Sequence, residues 1–185
     1  MLVVAGEPIG IPGGQDQTYP YVAHPHYYWL SGCRRPGGVL AFDPNEGWSD
    51  FRAPISQAER VWEGADGEAG GLDVAGLPAW LEKRSNRPLA VVGATHPGVA
   101  GDPKRSQQVC REIQHLRRPK DAGEVAMVAR AVEASARGYA RLSEWIQPGV
   151  SEREVAIRLE SEFFLGGADG TGYGTIVGSG ANSAV

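Results

Sequence analysis

The sequence predicts an α/β layered domain followed by the opening of a second domain. Two observations point to the first part: short apolar strands alternate with helical spacings over roughly the first hundred residues, and Gly/Pro-rich turns separate them. A third points to the second part. After the linker Arg117-Arg118-Pro119-Lys120 only two amphipathic helices and one short strand can be read, too few to bury their own apolar faces.

Residues 2–5 read as a buried strand that begins almost at the first residue, an abrupt start that suggests missing sequence. Residues 9–17 are Gly/Pro-rich loop, and the aromatic run at 27–30 suits a strand or the wall of a core. A turn at 34–38 leads into a strand at 39–42, which stops at Asp43-Pro44-Asn45-Glu46-Gly47. Residues 51–55 form another strand. Ser56 and Glu59 make a capping-box pair, predicting a short helix through Val61 and Trp62, with loop at 64–71. Residues 74–84 have helical spacing, with Leu77, Trp80 and Leu81 on one side. A strand at 89–92, a loop at 95–105 and a helix at 107–116 complete this part.

The next helix is entered through a capping-box-like pair, Asp121 and Glu124. It carries Val125, Val128, Val132, Tyr139, Leu142 and Ile146 at apolar spacing, and Pro148-Gly149 ends it. Ser151 and Glu154 open another, with Val155, Leu159 and Phe163 on one face and Gly166-Gly167 as its close. The β-branched trio Thr175, Ile176 and Val177 reads as a short strand followed by a Gly-Ser-Gly turn. A strand and turn make a poor end to a domain, because their backbone groups lack a second strand.

With 185 residues, 42% of them hydrophobic, the chain has room for a sizeable core to which all five Trp can contribute. Its net charge of −4 leaves no electrostatic footprint for nucleic acid or an anionic membrane. Cys33 and Cys110 are the two cysteines, far apart and without a CxxC, so neither a zinc site nor a disulfide scaffold is indicated. The first residues lack a signal peptide's basic segment, and no stretch approaches a membrane span. These features lead to the expectation of a cytoplasmic protein with reduced thiols.

Most chemistry-bearing motifs fail on inspection. A dinucleotide fingerprint starting at Gly172 and Gly174 would need a third glycine where Val177 stands, and no Gly-Lys pair offers a phosphate loop. A nucleophile elbow around Ser179 would need glycines at Val177 and Ala181, so Ser179 reads as a turn residue. His24 and His26 flank Pro25; in an extended segment they would share a face and could grip a metal, or they are two polar loop residues. His96 and His115 are isolated. Glu152, Glu154, Glu160 and Glu162 read as solvated faces and caps, and nothing assembles a two-metal site. No catalytic residue and no metal ligand is therefore assigned.

Five segments, in order, resemble the Xaa-Pro aminopeptidase and prolidase family. Tyr19-Pro20-Tyr21 followed by Tyr27-Tyr28-Trp29-Leu30-Ser31-Gly32 is similar to a stretch of its N-terminal domain. The run from Glu59 to Gly64 is similar to its Glu-x-x-Trp-x-Gly segment, and residues 116–120 with Glu124 to its entry into the catalytic domain. Pro148-Gly149-Val150-Ser151-Glu152 matches a helix junction. The run from Tyr173 to Asn182 matches a Tyr-x-x-Ile-Val-x-Ser-Gly-x-Asn marker that leads to an active-site His.

The resemblance implies a ribonuclease-H-like α/β domain of the creatinase N-terminal type over residues 1–116. The truncated start of an α+β "pita-bread" domain follows over 117–185. It implies a metal-dependent peptidase that hydrolyses the bond before proline, acts on proline-containing peptides and forms a homo-oligomer when full length. Two divalent ions, often manganese, would be held by two Asp, one His and two Glu, all beyond Val185, so this chain alone would be inactive and hold no metal. Tyr173 matches a tyrosine lining the substrate pocket, though it could equally be a core or strand-edge aromatic. Trp62 matches a tryptophan that in some oligomers reaches a neighbouring subunit's site, though a core position on a short helix also suits it. Arg117 matches a linker arginine or is a solvated charge. Val22 and His26 stand where the family has an Arg and an Asp, which puts its usual interdomain polar contacts in doubt. A creatinase-like amidinohydrolase and a non-catalytic peptide-binding or chaperone relative share the architecture and remain alternatives.

Overall fold

The computed structural model describes residues 1–63 and 70–183. They divide into two compact units, Met1–Arg118 and Pro119–Val185. Most of the loop read at 64–71, and the Gly64 end of the Glu-x-x-Trp-x-Gly run, lie outside the described residues.

The first unit is built on a five-stranded sheet of order β4-β3-β2-β1-β5. Its strands are β1 (Leu2–Val4), β2 (Val39–Asp43), β3 (Gly47–Arg52), β4 (Leu72–Asp73) and β5 (Val91–Gly93). β1 pairs antiparallel with β2 and parallel with β5, so it is an interior strand, buried throughout. Alternation along β1 serves two layers. Val3 and Ala5 face Tyr27, Cys33 and Ile113, on the side of α1 (Pro25–Ser31) and α4 (Pro103–Leu116). Leu2 and Val4 face Phe51 and Leu77, on the side of α3 (Leu77–Glu82). Burying each such Leu or Val side chain contributes about 1.5–3 kcal/mol.

Two strands are displaced from their predicted places. The strand expected at 51–55 runs instead through Gly47–Arg52, because the Asp43 carboxylate accepts the Asn45 N–H at 2.9 Å and Gly47 takes φ +81°, closing a tight hairpin. The strand expected at 89–92 begins at Val91, where pairing with Leu2 starts. The aromatic run at 27–30 is helix α1, not strand. His24 caps it, Pro25 supplies a first-turn residue that needs no N–H partner, and Gly32 ends it at φ +69° with its N–H on the Tyr28 carbonyl. Its reading as core wall holds, since Tyr27 is fully buried. Helix α4 starts four residues before its predicted position, because Asp102 accepts the Arg105 N–H at 2.7 Å and Pro103 follows it. The reciprocal Ser56–Glu59 box opens α2 (Gln57–Glu63), with bonds of 2.7 and 3.1 Å.

In the second unit α5 (Ala122–Trp145) packs on α6 (Glu152–Leu165). The Asp121–Glu124 box caps α5, and Ser151 caps α6 through the Glu154 N–H. Contact is made through small residues: Ala134 and Gly138 are buried on α5, and Val155 and Leu159 on α6. A Cβ on Gly138 would lie 2.6 Å from the Phe163 ring, so glycine permits that close approach. The apolar stripe of α5, from Val125 through Val128 and Val132 to Tyr139 and Ile146, is exposed. Residues 175–177 are not a strand. A strand is stabilised by cross-strand pairing, and none is formed by these residues; only a 3-10 turn, Gly180–Ser183, follows.

Candidate functional site

The two residues singled out as substrate contacts lie on separate units. Trp62 stands on α2 with 87% of its surface exposed, beside Val61, also exposed. The Ser56–Glu59 box fixes the start of that helix, and Arg35 ties Glu59 to the domain at 3.3 Å. The Ser56 N–H holds the Glu59 carboxylate below its ordinary pKa. Tyr173 lies after α6 with 79% of its surface exposed. Among the described residues each ring is presented to solvent. Trp48 is exposed too, so two of the five tryptophans do little for the core.

The histidine pair is neither extended nor an ordinary loop. His24 turns its Nδ1 to accept the His26 N–H at 3.2 Å, the bond that starts α1. His26 is only 6% exposed. Its Nδ1 lies 3.0 Å from Nη1 of Arg117 and its Nε2 3.6 Å from Sγ of Cys110. Guanidinium can only donate, so Nδ1 accepts and the ring proton sits on Nε2, aimed at sulfur. Burial, the neighbouring His24 and the Arg117 charge all lower the pKa of His26; burial and Arg117 lower that of His24. These contacts engage both ring nitrogens of His26 without a metal. Arg117 is not a solvated linker charge but is bonded to His26 where α4 ends. Cys33 and Cys110 are thiols, neither in a disulfide.

Glu152, read from sequence as a solvated or capping carboxylate, gathers the end of the described chain. One oxygen, Oε1, accepts the Ser179 N–H at 2.7 Å, the Ser179 hydroxyl at 2.9 Å and the Asn182 side-chain amide at 3.1 Å. These bonds, with that from Asn182 first, lower its pKa. Neither this contact nor the His26–Arg117 bond could be found by local pattern, since the partners are 27 and 91 residues apart. Among the described residues no group of three or more His, Cys, Asp or Glu side chains is placed to hold a metal ion. No helix of the described residues is long and apolar enough to cross a membrane.

Residues 126–185 match metallopeptidase family M24. Xaa-Pro aminopeptidase 2 of Streptomyces coelicolor is 25% identical over 216 residues, an alignment covering 97% of this chain and 46% of that protein. The structure of Escherichia coli aminopeptidase P with the inhibitor Pro-Leu matches with a TM-score of 0.71 at 21% identity, covering 98% of this chain and 48% of that one. Pseudomonas aeruginosa aminopeptidase PepP matches with a TM-score of 0.69 at 22% identity, covering 98% and 49%. The chain spans about half the length of the proteins it matches, and its α/β architecture is that of the same half-length stretch. The resemblance carried by the ordered motifs is borne out.

Proposed function

We propose that this chain, similar over most of its length to Xaa-Pro aminopeptidases, is the amino-terminal portion of a metal-dependent Xaa-Pro peptidase. The parent hydrolyses the bond before proline in proline-containing peptides. The observation that carries this reading is the fold likeness over 98% of the chain to about half of an aminopeptidase P. That neighbour is recorded with Pro-Leu, a proline dipeptide, which supports the substrate class. The division of labour we propose gives residues 1–116 to a creatinase-type N-terminal domain and residues 117–185 to the start of the pita-bread domain.

In this reading the metal ions, manganese in the first instance, belong to residues beyond Val185. The described residues do not fit them, as no cluster of ligands converges among them, and the chain alone is inactive. Its own contribution is positional. Tyr173, free of the core, lines the peptide pocket. Trp62, at the tip of α2, reaches a neighbouring subunit's site, which makes the parent a homo-oligomer. Both roles need an exposed ring, and both rings are exposed.

The test is an assay of the full-length gene product, loaded with Mn²⁺, against an Xaa-Pro dipeptide, an Xaa-Pro tripeptide and creatine. Release of the residue before proline is the expected outcome. Cleavage of creatine alone would make the parent an amidinohydrolase. Tight binding of proline peptides without turnover would make it a non-catalytic peptide-binding relative.

A further inference from the structure

We infer that Glu152 is the positioning residue of the tail, a carboxylate clip that folds residues 179–183 against the start of α6. The significance of that tail rests on the proposed function, which makes Tyr173, a few residues before it, a wall of the substrate pocket.

Apolar packing does not hold the tail at its large side chains. Tyr173 and Ile176 are both almost fully exposed, and the β-branched trio has formed no strand. Polar bonds hold it instead. Three donors from two residues converge on Glu152 Oε1: a backbone N–H, a hydroxyl and a carboxamide. Hydrogen bonds to a charged acceptor are the strong ones. The turn they gather is closed by its own bond from the Asn182 N–H to the Ser179 carbonyl at 2.9 Å. Glu152 can reach it because Ser151 fixes the first turn of α6, and a carboxylate suits the positive end of a helix. The fold brings the parts together: the Pro-Gly-Val-Ser-Glu junction supplies the acceptor and the Ser-Gly-Ala-Asn run the donors.

The clip is testable on the 185-residue chain by amide hydrogen exchange resolved at Ser179. In Glu152→Ala the Ser179 amide should exchange about tenfold faster or more, while the amides of Val155 and Leu159 within α6 keep their protection. Glu152→Gln, which retains a carbonyl acceptor at the same reach, should restore part of the loss. Protection of Ser179 in the unaltered chain should also fall as acid neutralises the carboxylate, and Glu152→Gln should lack that pH dependence. Equal Ser179 exchange in the unaltered chain and in Glu152→Ala would overturn the clip. So would parallel loss throughout α6, which would show Glu152 stabilising the helix and not the tail. Since exchange and not turnover is read, a failed clip leaves the peptidase reading standing, and a parent inactive on Xaa-Pro peptides leaves the clip standing.

Discussion

Arg117 Nη1 donates to Nδ1 of His26 across 3.0 Å, joining the C-terminal end of α4 to the first turn of α1. This bond sets the imidazole tautomer and directs its remaining N–H to Cys110. His26 therefore pairs with the arginine as a neutral acceptor. Protonation would abolish that pairing.

Acid should weaken the first unit accordingly. Well above about pH 6.5, from about pH 7.5 upward, the imidazole is neutral in folded and unfolded chains alike, and its contribution is fully present. As pH falls, the unfolded chain takes up a proton that folded His26 resists, so stability declines until the lowered folded pKa is passed. Urea midpoints of the unaltered chain should drop between about pH 7.5 and about pH 5.5. His26→Asn should show a shallower drop, the remainder belonging to His24 and the Met1 amino group, whose pKa values are also lowered. Identical slopes would contradict the assignment.

Gly38 is required by Tyr27. A Cβ at position 38 would lie 2.0 Å from Tyr27 Oη and 2.5 Å from Cζ, and Tyr27 is fully buried with nowhere to move. Gly38→Ala should destabilise by roughly 1–3 kcal/mol or more. Gly10→Ala, where a Cβ meets nothing within 4 Å, should stay within about 0.5 kcal/mol. Chemical denaturation of both variants compares them directly.

The second unit should be the less protected one. Its buried side is a narrow seam of Ala134, Gly138, Val155 and Leu159, while Val125, Val128 and Val132 stay exposed. The first unit buries both faces of its interior strand β1. Native-state hydrogen exchange should find residues 121–183 opening more readily than 1–63. Equal protection would mean that α5 and α6 form a self-sufficient fold.

Trp62→Ala and Tyr173→Ala should each change the stability of this chain by no more than about 0.5 kcal/mol, because both rings are exposed. In the full-length protein, on the proposed function, each should raise KM for Xaa-Pro peptides. Loss of stability with KM unchanged would remove both from the substrate path.

What could be read from sequence was what is local. The boxes Ser56–Glu59 and Asp121–Glu124 were legible because both partners lie within one helical turn. The run Tyr27 to Leu30 misled because aromatics favour strands, while the signals that decide it, Pro25 before and Gly32 after, flank the run. Residues 175–177 have strand-forming side chains, but a strand also needs a neighbour, and propensity does not provide one. The apolar stripe of α5 is legible in the spacing, yet spacing alone does not reveal whether a stripe is covered. The links from His26 to Arg117 and from Glu152 to Ser179 needed the fold, since no local pattern joins their partners.

The central claim is that this chain supplies the scaffold and exposed aromatic contacts of a metallopeptidase whose ions are held elsewhere. Calorimetric titration of the purified chain with Mn²⁺ tests it most directly. Only weak, non-stoichiometric uptake is expected. One or two tight sites per chain would contradict it.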